Sequence, residues 1–161
     1  MHLCLVTTPE SLVLRGKSPA TGDIWLVIEE QAFPMLGWND FVVPIVTAFA
    51  DALLRLLGGA ERQVVSFMDG PYAVELARTS PSTLEVRAFQ RRARGRSVVK
   101  MCGETALRPF VEDVVAQARA IVEVCRTREW SNDAAALEST LARLGAVLGR
   151  MTKIDLCDPE E

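Results

Sequence analysis

Histidine is nearly absent from this sequence of 161 residues, which has one, at position 2. A catalytic relay in the body of the domain needs a positioned imidazole, and a histidine-rich metal site needs several, so the composition excludes both. Cysteine is also sparse. No two of the four have the spacing of a CxxC motif, so we expect neither a zinc site nor a disulfide framework. We interpret them as small buried thiols of a reducing compartment: Cys4, Cys102, Cys125 and Cys157.

Long apolar runs and a strong excess of one charge are missing too. The longest early apolar run is Leu3 to Val6, and the stretch from Phe41 to Ala50 is interrupted by Pro44, so the sequence predicts no membrane span. The start has no basic segment typical of an export signal. With 18 basic and 21 acidic side chains the net charge is −3, too balanced to attract nucleic acid or anionic lipid in bulk. We therefore expect a cytoplasmic protein without a membrane partner.

What the sequence does contain is alternating strand patterns and helical apolar stripes, which predict a single α+β domain over residues 1–161. A strand is predicted at 3–7, with 11–15 as its hairpin partner. Further short strands are predicted at 24–29, 62–68, 72–78, 83–89 and 96–102. Because most are joined by short turns, we expect a mostly antiparallel sheet of about five to seven strands, with helices packed on one face.

The first predicted helix follows an aromatic-rich turn. Asn39 or Asp40 is the expected N-terminal cap, since a short side-chain oxygen satisfies the free amides of the first turn. Pro44 suits the opening turn, and Gly58-Gly59 is expected to end the helix.

Two further helices are predicted at the C-terminus, one entering at Arg108-Pro109 and one at Ser131 or Asn132. The narrow leucine stripe over 137–151 fits packing on one neighbour, either within the chain or across a homodimer. The acidic end, 155–161, is predicted to be frayed.

A basic segment lies at the predicted hairpin tip between the last two strands. From 87 to 100 the chain has six basic and no acidic side chains, and four of them lie at the tip: Arg91, Arg92, Arg94 and Arg96. Such a tip can be a solvated hairpin, contact a protein partner or follow a phosphate backbone. Phe89 is the one aromatic residue beside it, so base stacking has little support and nucleic acid is the weaker alternative.

Carboxylates form no diagnostic catalytic pair in the sequence. Asp69, Glu75 and Glu85 fall on neighbouring strands or turns, and an enzyme would have to use these or Cys102. No glycine-rich phosphate loop is present, because Gly58-Gly59 follows a helix instead of preceding one. We expect no catalytic residue, no metal and no cofactor.

Two segments are distinctive in combination. One is Phe33-Pro34 followed by Gly37-Trp38-Asn39-Asp40-Phe41, and the other is Phe67-Met68-Asp69-Gly70-Pro71-Tyr72. Together, over about a third of the chain, they resemble a group of small bacterial immunity-type proteins that accompany polymorphic secreted toxins and have no assigned mechanism.

The resemblance implies a protein without enzymatic activity that neutralises a cytoplasm-acting toxin domain by occluding its active site. Many of the motif residues have structural explanations as loop anchors, caps and turn formers: Phe33, Pro34, Trp38, Asp40, Phe41, Gly70 and Pro71. We expect the partner to be contacted by Asp69, Tyr72, Glu75, Glu85, Arg91, Arg92, Arg94 and Arg96. The alternative is a nucleic-acid-binding or regulatory module that uses the hairpin at 91–96.

Overall fold

Eight strands and three α-helices form residues 2–155, the part of the chain that the computed structural model describes, with side chains described to residue 150. The strands are β1 (Leu3–Thr7), β2 (Thr21–Ile28), β3 (Gln31–Phe33), β4 (Asn39–Phe41), β5 (Arg62–Ser66), β6 (Tyr72–Arg78), β7 (Thr83–Arg91) and β8 (Ser97–Ala106). The helices are α1 (Val42–Leu57), α2 (Leu107–Thr127) and α3 (Ser131–Asp155). The predicted α+β class is confirmed, with antiparallel pairing throughout and two helices near the C-terminus. Apart from Asp155, the predicted frayed end lies outside the described residues.

The first sheet is built around β2, which pairs with β1 over residues 24–28, with β3 over 26–28 and with β4 over 21–23. Every second residue of β2 is buried, as expected for a strand with one face on the core. The predicted strand at 11–15 is wrong: a short 3-10 turn, Pro9–Ser11, redirects the chain, and Val13 alone forms a bridge, to Thr21. β1 therefore pairs with β2, where its alternating pattern meets another half-buried strand.

Side chains of α2 cover the outer edge of β1. The Asp113 carboxylate accepts a hydrogen bond from the Leu5 amide at 2.6 Å, and Gln117 Oε1 accepts from the Thr7 amide at 3.2 Å and its hydroxyl at 2.7 Å. Residues 113 and 117 are one helical turn apart, so both face the strand and reach alternate outward N–H groups. The bonds satisfy an edge that would otherwise offer free donors to another strand.

The half-buried carboxyl group of Asp113 gives the stability a distinct pH dependence. Burial raises its pKa, and the hydrogen bond from Leu5 opposes the rise. Because the folded chain then holds this proton more tightly than the unfolded chain, the free energy of unfolding falls as pH rises from the ordinary carboxyl pKa through the folded-state value. Asp113→Asn keeps an acceptor oxygen but cannot ionise, so wild type should lose stability relative to the variant across that window. Urea unfolding of both between about pH 3 and pH 7 measures this, and a constant difference would contradict it.

The second sheet has the order β5-β6-β7-β8, which confirms the predicted meander of four strands. Leu76 of β6 pairs with Val86 of β7 on the buried face, while the neighbouring pair Glu75 and Arg87 points outward. The structure has two four-stranded sheets where one was predicted, because no strand of β1–β4 pairs with a strand of β5–β8. The segment 32–41, predicted as a turn, contributes most of β3 and all of β4 to the first sheet.

Helix α1 packs against β2 of the first sheet and against β5 and β6 of the second, and α2 and α3 pack on α1. Phe49 of α1 meets Phe110 of α2 edge to face, with ring centroids 6.2 Å apart, inside one continuous apolar core. The predicted leucine stripe of α3 packs within the chain, with Leu137 and Leu144 fully buried. None of the helices in residues 2–155 is both long and apolar enough to cross a membrane.

Candidate interaction surface

The Asp40 carboxylate joins the two distinctive segments and is 2% exposed. Its Oδ2 accepts a hydrogen bond from the Trp38 indole Nε1 at 3.1 Å. The same oxygen accepts from the backbone amides of Met68 and Asp69, each at 3.0 Å. Its Oδ1 accepts from the Phe41 amide at 2.7 Å. One buried carboxylate thus accepts from four N–H donors, and the two from Met68 and Asp69 tie the loop between β5 and β6 to the segment that precedes α1.

The predicted capping of α1 by Asn39 or Asp40 is wrong. The helix begins at Val42, and no side chain caps it. Asp40 lies in β4, where alternation points its side chain inward while Asn39 points outward. The carboxylate therefore faces the β5–β6 loop instead of the first-turn amides. Pro44 lies in the opening turn as predicted, where its missing N–H costs no helical hydrogen bond.

Aromatic rings from both segments form a cluster under these loops. The Phe33 ring meets the rings of Phe67 and Tyr72 edge to face, with centroids 6.0 Å and 5.7 Å away. Trp38 and Tyr72 are in the same geometry at 5.2 Å. At Gly70, φ is 129° and an added Cβ would come within about 3.1–3.3 Å of the Tyr72 and Trp38 rings, so only glycine fits. The cluster holds both loops on a rigid base.

The arginine hairpin lies beside the same loops. The Pro71 carbonyl accepts a hydrogen bond from the Arg91 amide at 2.6 Å, and the hairpin closes through the Arg92 amide and the Arg96 carbonyl at 2.7 Å. We call the part of the molecule formed by residues 34–38, 67–71 and 91–96 the loop end.

The loop end presents apolar and positively charged side chains together. Four arginines and one carboxylate, Asp69, are its charged residues. Three large apolar side chains on it are exposed by 53%, 77% and 58%: Met35, Leu36 and Met68. Val98 and Val99, on the strand that leaves the hairpin, are exposed as well.

The four hairpin arginines form no ion pair with the described side chains, whereas five of the eleven other arginines do. Among the side chains of residues 2–150, no carboxylate lies within 4.0 Å of the guanidinium groups of Arg91, Arg92, Arg94 or Arg96. The paired arginines are Arg62, Arg87, Arg108, Arg126 and Arg143. The Arg91 guanidinium lies over the half-buried Phe89 ring, 5.9 Å from the ring centroid. It therefore covers one face of this aromatic ring.

The predicted partner-contacting residues divide into two groups. Asp69 and the four arginines meet at the loop end, with Tyr72 half-buried in the aromatic cluster beneath them. Glu75 and Glu85 lie instead on the outward face of the second sheet. Glu75 is 3.6 Å from Arg62, and Glu85 accepts hydrogen bonds from Arg87 at 2.8 Å and 3.0 Å. These two acids are therefore already paired within the chain.

The cysteines differ in environment. Burial raises the pKa of the Cys125 thiol to about 11, with a nearby carboxylate adding to the effect, and burial also raises the pKa of Cys4. Both stay protonated near neutral pH. Cys102 is exposed, contrary to the expected buried thiol, because the outward face of the edge strand β8 is uncovered. Cys157 lies outside the described residues.

The clefts of the described residues are open grooves. One of about 490 Å³ runs between α2 and α3, lined by Arg119, Glu123 and Arg126 among others, and one of about 550 Å³ lies beside the start of α3. Among the side chains of residues 2–150, no three or more histidine, cysteine or acidic groups are placed together to hold a metal ion.

The sequence analysis did not predict that Met35, Leu36 and Met68 are exposed apolar residues of the loop end. A signal exists for two of them, because Met35 and Leu36 stand between Pro34 and Gly37 in a segment too short to bury them. Met68 carries no comparable signal, since its exposure depends on how the β5–β6 loop sits against Asp40.

Exposed apolar side chains on a rigid base, beside arginines without ion pairs, are typical of surfaces that bind other proteins. Comparison with protein-family models, with curated proteins and with solved structures gives no match for this chain. The loop end is the surface of the described residues on which these features coincide.

Proposed function

We propose that this chain is a protein-binding module without enzymatic activity, an immunity protein that neutralises a cytoplasm-acting toxin by covering its active site. The observation that carries the proposal is the convergence of both distinctive segments and the arginine hairpin at the loop end. Segments separated by 20 or more positions in the sequence meet there as one surface.

The base of the loop end favours a preformed binding surface. Four hydrogen bonds to Asp40 and the edge-to-face rings hold the loops, so little ordering is left to occur on binding. The exposed Leu36 and Met68 side chains stand above this base and can enter a partner's apolar pocket. Methionine suits this role because its flexible side chain adapts to irregular pockets, and leucine because it buries a large apolar area.

Nucleic acid is the weaker candidate for the same surface. Sequence-tolerant binding of single strands uses aromatic platforms beside the positive charge, and Phe89 is half-buried beneath Arg91. A phosphodiester backbone also offers little to cover Leu36 or Met68.

The first test is capture of the partner. Tagged protein is incubated with nuclease-treated lysate of the bacterium that encodes it, washed at about 1 M salt, and the retained proteins are identified by mass spectrometry. We expect one protein at a stoichiometric amount. Produced alone, that protein should arrest growth, and co-expression of this chain should restore growth. Retention of nucleic acid from an untreated lysate, eluting as salt rises and with no protein retained, would instead favour the nucleic-acid-binding alternative.

A further inference from the structure

We infer that the partner's contact surface is acidic, and that the arginine hairpin guides it onto the apolar residues of loops 34–38 and 67–71. This inference rests on the proposed function and adds to it the chemistry of the partner.

The charge distribution is the first support. The chain has a net charge of −3, yet the loop end carries four arginines against one aspartate. Five of the eleven arginines elsewhere are paired with carboxylates of their own chain, whereas none of the four in the hairpin is paired with a described side chain. Placing four like charges on one tip without internal partners costs electrostatic free energy, which carboxylates of a partner would offset. Guanidinium groups form bidentate hydrogen bonds with such carboxylates.

The neighbouring apolar side chains identify the occupant as a protein. The Arg91 amide is hydrogen-bonded to Pro71, so the hairpin and the loop that presents Met68 are in direct contact. Leu36 is the most exposed large apolar side chain of the described residues, at 77%. A protein surface can cover Leu36 and Met68 while its carboxylates meet the arginines. A polyphosphate chain can satisfy only the arginines.

The two halves of the surface should act on different steps of binding. Exposed charges at the edge of an interface raise the association rate and make it depend on salt, whereas buried apolar anchors mainly slow dissociation. Removing the arginines should therefore slow association far more than it speeds dissociation.

The test uses the protein retained in the capture experiment, produced recombinantly, as the analyte in surface binding kinetics. One variant carries Arg91→Gln, Arg92→Gln, Arg94→Gln and Arg96→Gln. The matched control makes the same change in net charge at four exposed arginines outside the loop end: Arg15→Gln, Arg55→Gln, Arg119→Gln and Arg150→Gln. Both must unfold thermally at the wild-type midpoint.

At low salt we expect the hairpin variant to associate at least about tenfold more slowly than wild type, with a dissociation rate within about threefold. The control variant should associate within about threefold of the wild-type rate. Equal association rates for the two variants would overturn the inference while leaving the proposed function standing. If no protein is retained in the capture experiment, the proposed function itself fails.

The position of the binding surface on this chain is tested independently by photo-crosslinking in the cells that encode the chain. Benzoyl-phenylalanine replaces Leu36 in one version and Ser82 in the other. Ser82 is exposed in the turn at the opposite end of β7, a strand of nine residues, about 30 Å long. We expect a crosslinked protein from position 36 alone. Equal crosslinking from position 82 would overturn the inference.

Discussion

Replacing Asp40 with alanine should lower the free energy of unfolding by about 3–5 kcal/mol, a large share of the about 5–15 kcal/mol that holds a domain folded. The substitution leaves the Trp38 indole and three backbone amides without their acceptor. Each N–H group that stays out of water costs about 1–3 kcal/mol, and partial hydration of the exposed β5–β6 loop reduces the sum. Urea unfolding, followed by Trp fluorescence and by far-UV circular dichroism, measures the change.

Two controls separate this effect from a general loss of charge. Asp69→Asn removes an exposed carboxylate beside the same loop and should change the free energy of unfolding by less than about 0.5 kcal/mol. Asp40→Asn keeps the shape but replaces one of the two acceptor oxygens with an NH2 group that faces N–H donors, so it should also destabilise the fold. In hydrogen exchange, the amides of Met68 and Asp69 should lose protection before those of β6. A stable Asp40→Ala protein that retains protection at both amides would contradict the assigned role.

Replacing Leu36 and Met68 together with serine should weaken binding of the captured partner by about 100-fold or more, if the loop end is the interface. Apolar anchors at the centre of an interface cost about 2 kcal/mol or more each when truncated, and 2.7 kcal/mol corresponds to 100-fold. Serine adds no charge, so the loss reports apolar burial and not repulsion from an acidic partner. Binding kinetics should show the loss mainly as faster dissociation.

The stability of the double variant is part of the same prediction. Because the two side chains are 77% and 58% exposed, the free energy of unfolding should stay within about 0.5 kcal/mol of wild type. Val13→Ser, at an exposed apolar residue outside the loop end, is the matched control and should leave affinity unchanged. Affinity equal to wild type in the double variant would place the interface elsewhere, with the outward face carrying Glu75 and Glu85 as the next surface to test.

The elements predicted well are those whose patterns are local. The meander from β5 to β8 and the two C-terminal helices follow from alternation, turn residues and apolar stripes within single segments. The segment 32–41 was predicted as a turn because proline, glycine and polar residues interrupt it, yet it forms β3 and β4. Those three-residue strands exist because β2 provides a paired edge for both, a condition that local pattern does not contain.

The candidate site was predicted in its parts but not in its assembly. Both distinctive segments and the arginine tip stood out in the sequence, whereas their contact depends on a tertiary hydrogen bond from Met68 to Asp40, 28 residues apart. Asp40 was predicted as a helix cap because capping is the commonest role of an aspartate before an apolar helix. Its actual role needs a partner loop that only the folded chain supplies.

The closure of β1 by α2 has a consequence for biosynthesis. The acceptor of the Leu5 amide, Asp113, is synthesised 108 residues later in the chain. The acceptor of the Ala20 amide, Asp133, is synthesised 113 residues later. At the usual rate of translation, about 5–20 residues per second, this means roughly 5–20 seconds during which the emerging strand has an open edge. The β5–β8 meander closes between neighbouring segments as they leave the ribosome. The amino-terminal sheet is thus the part of the newborn chain most exposed to pairing with other nascent chains, and the part a chaperone would shield longest.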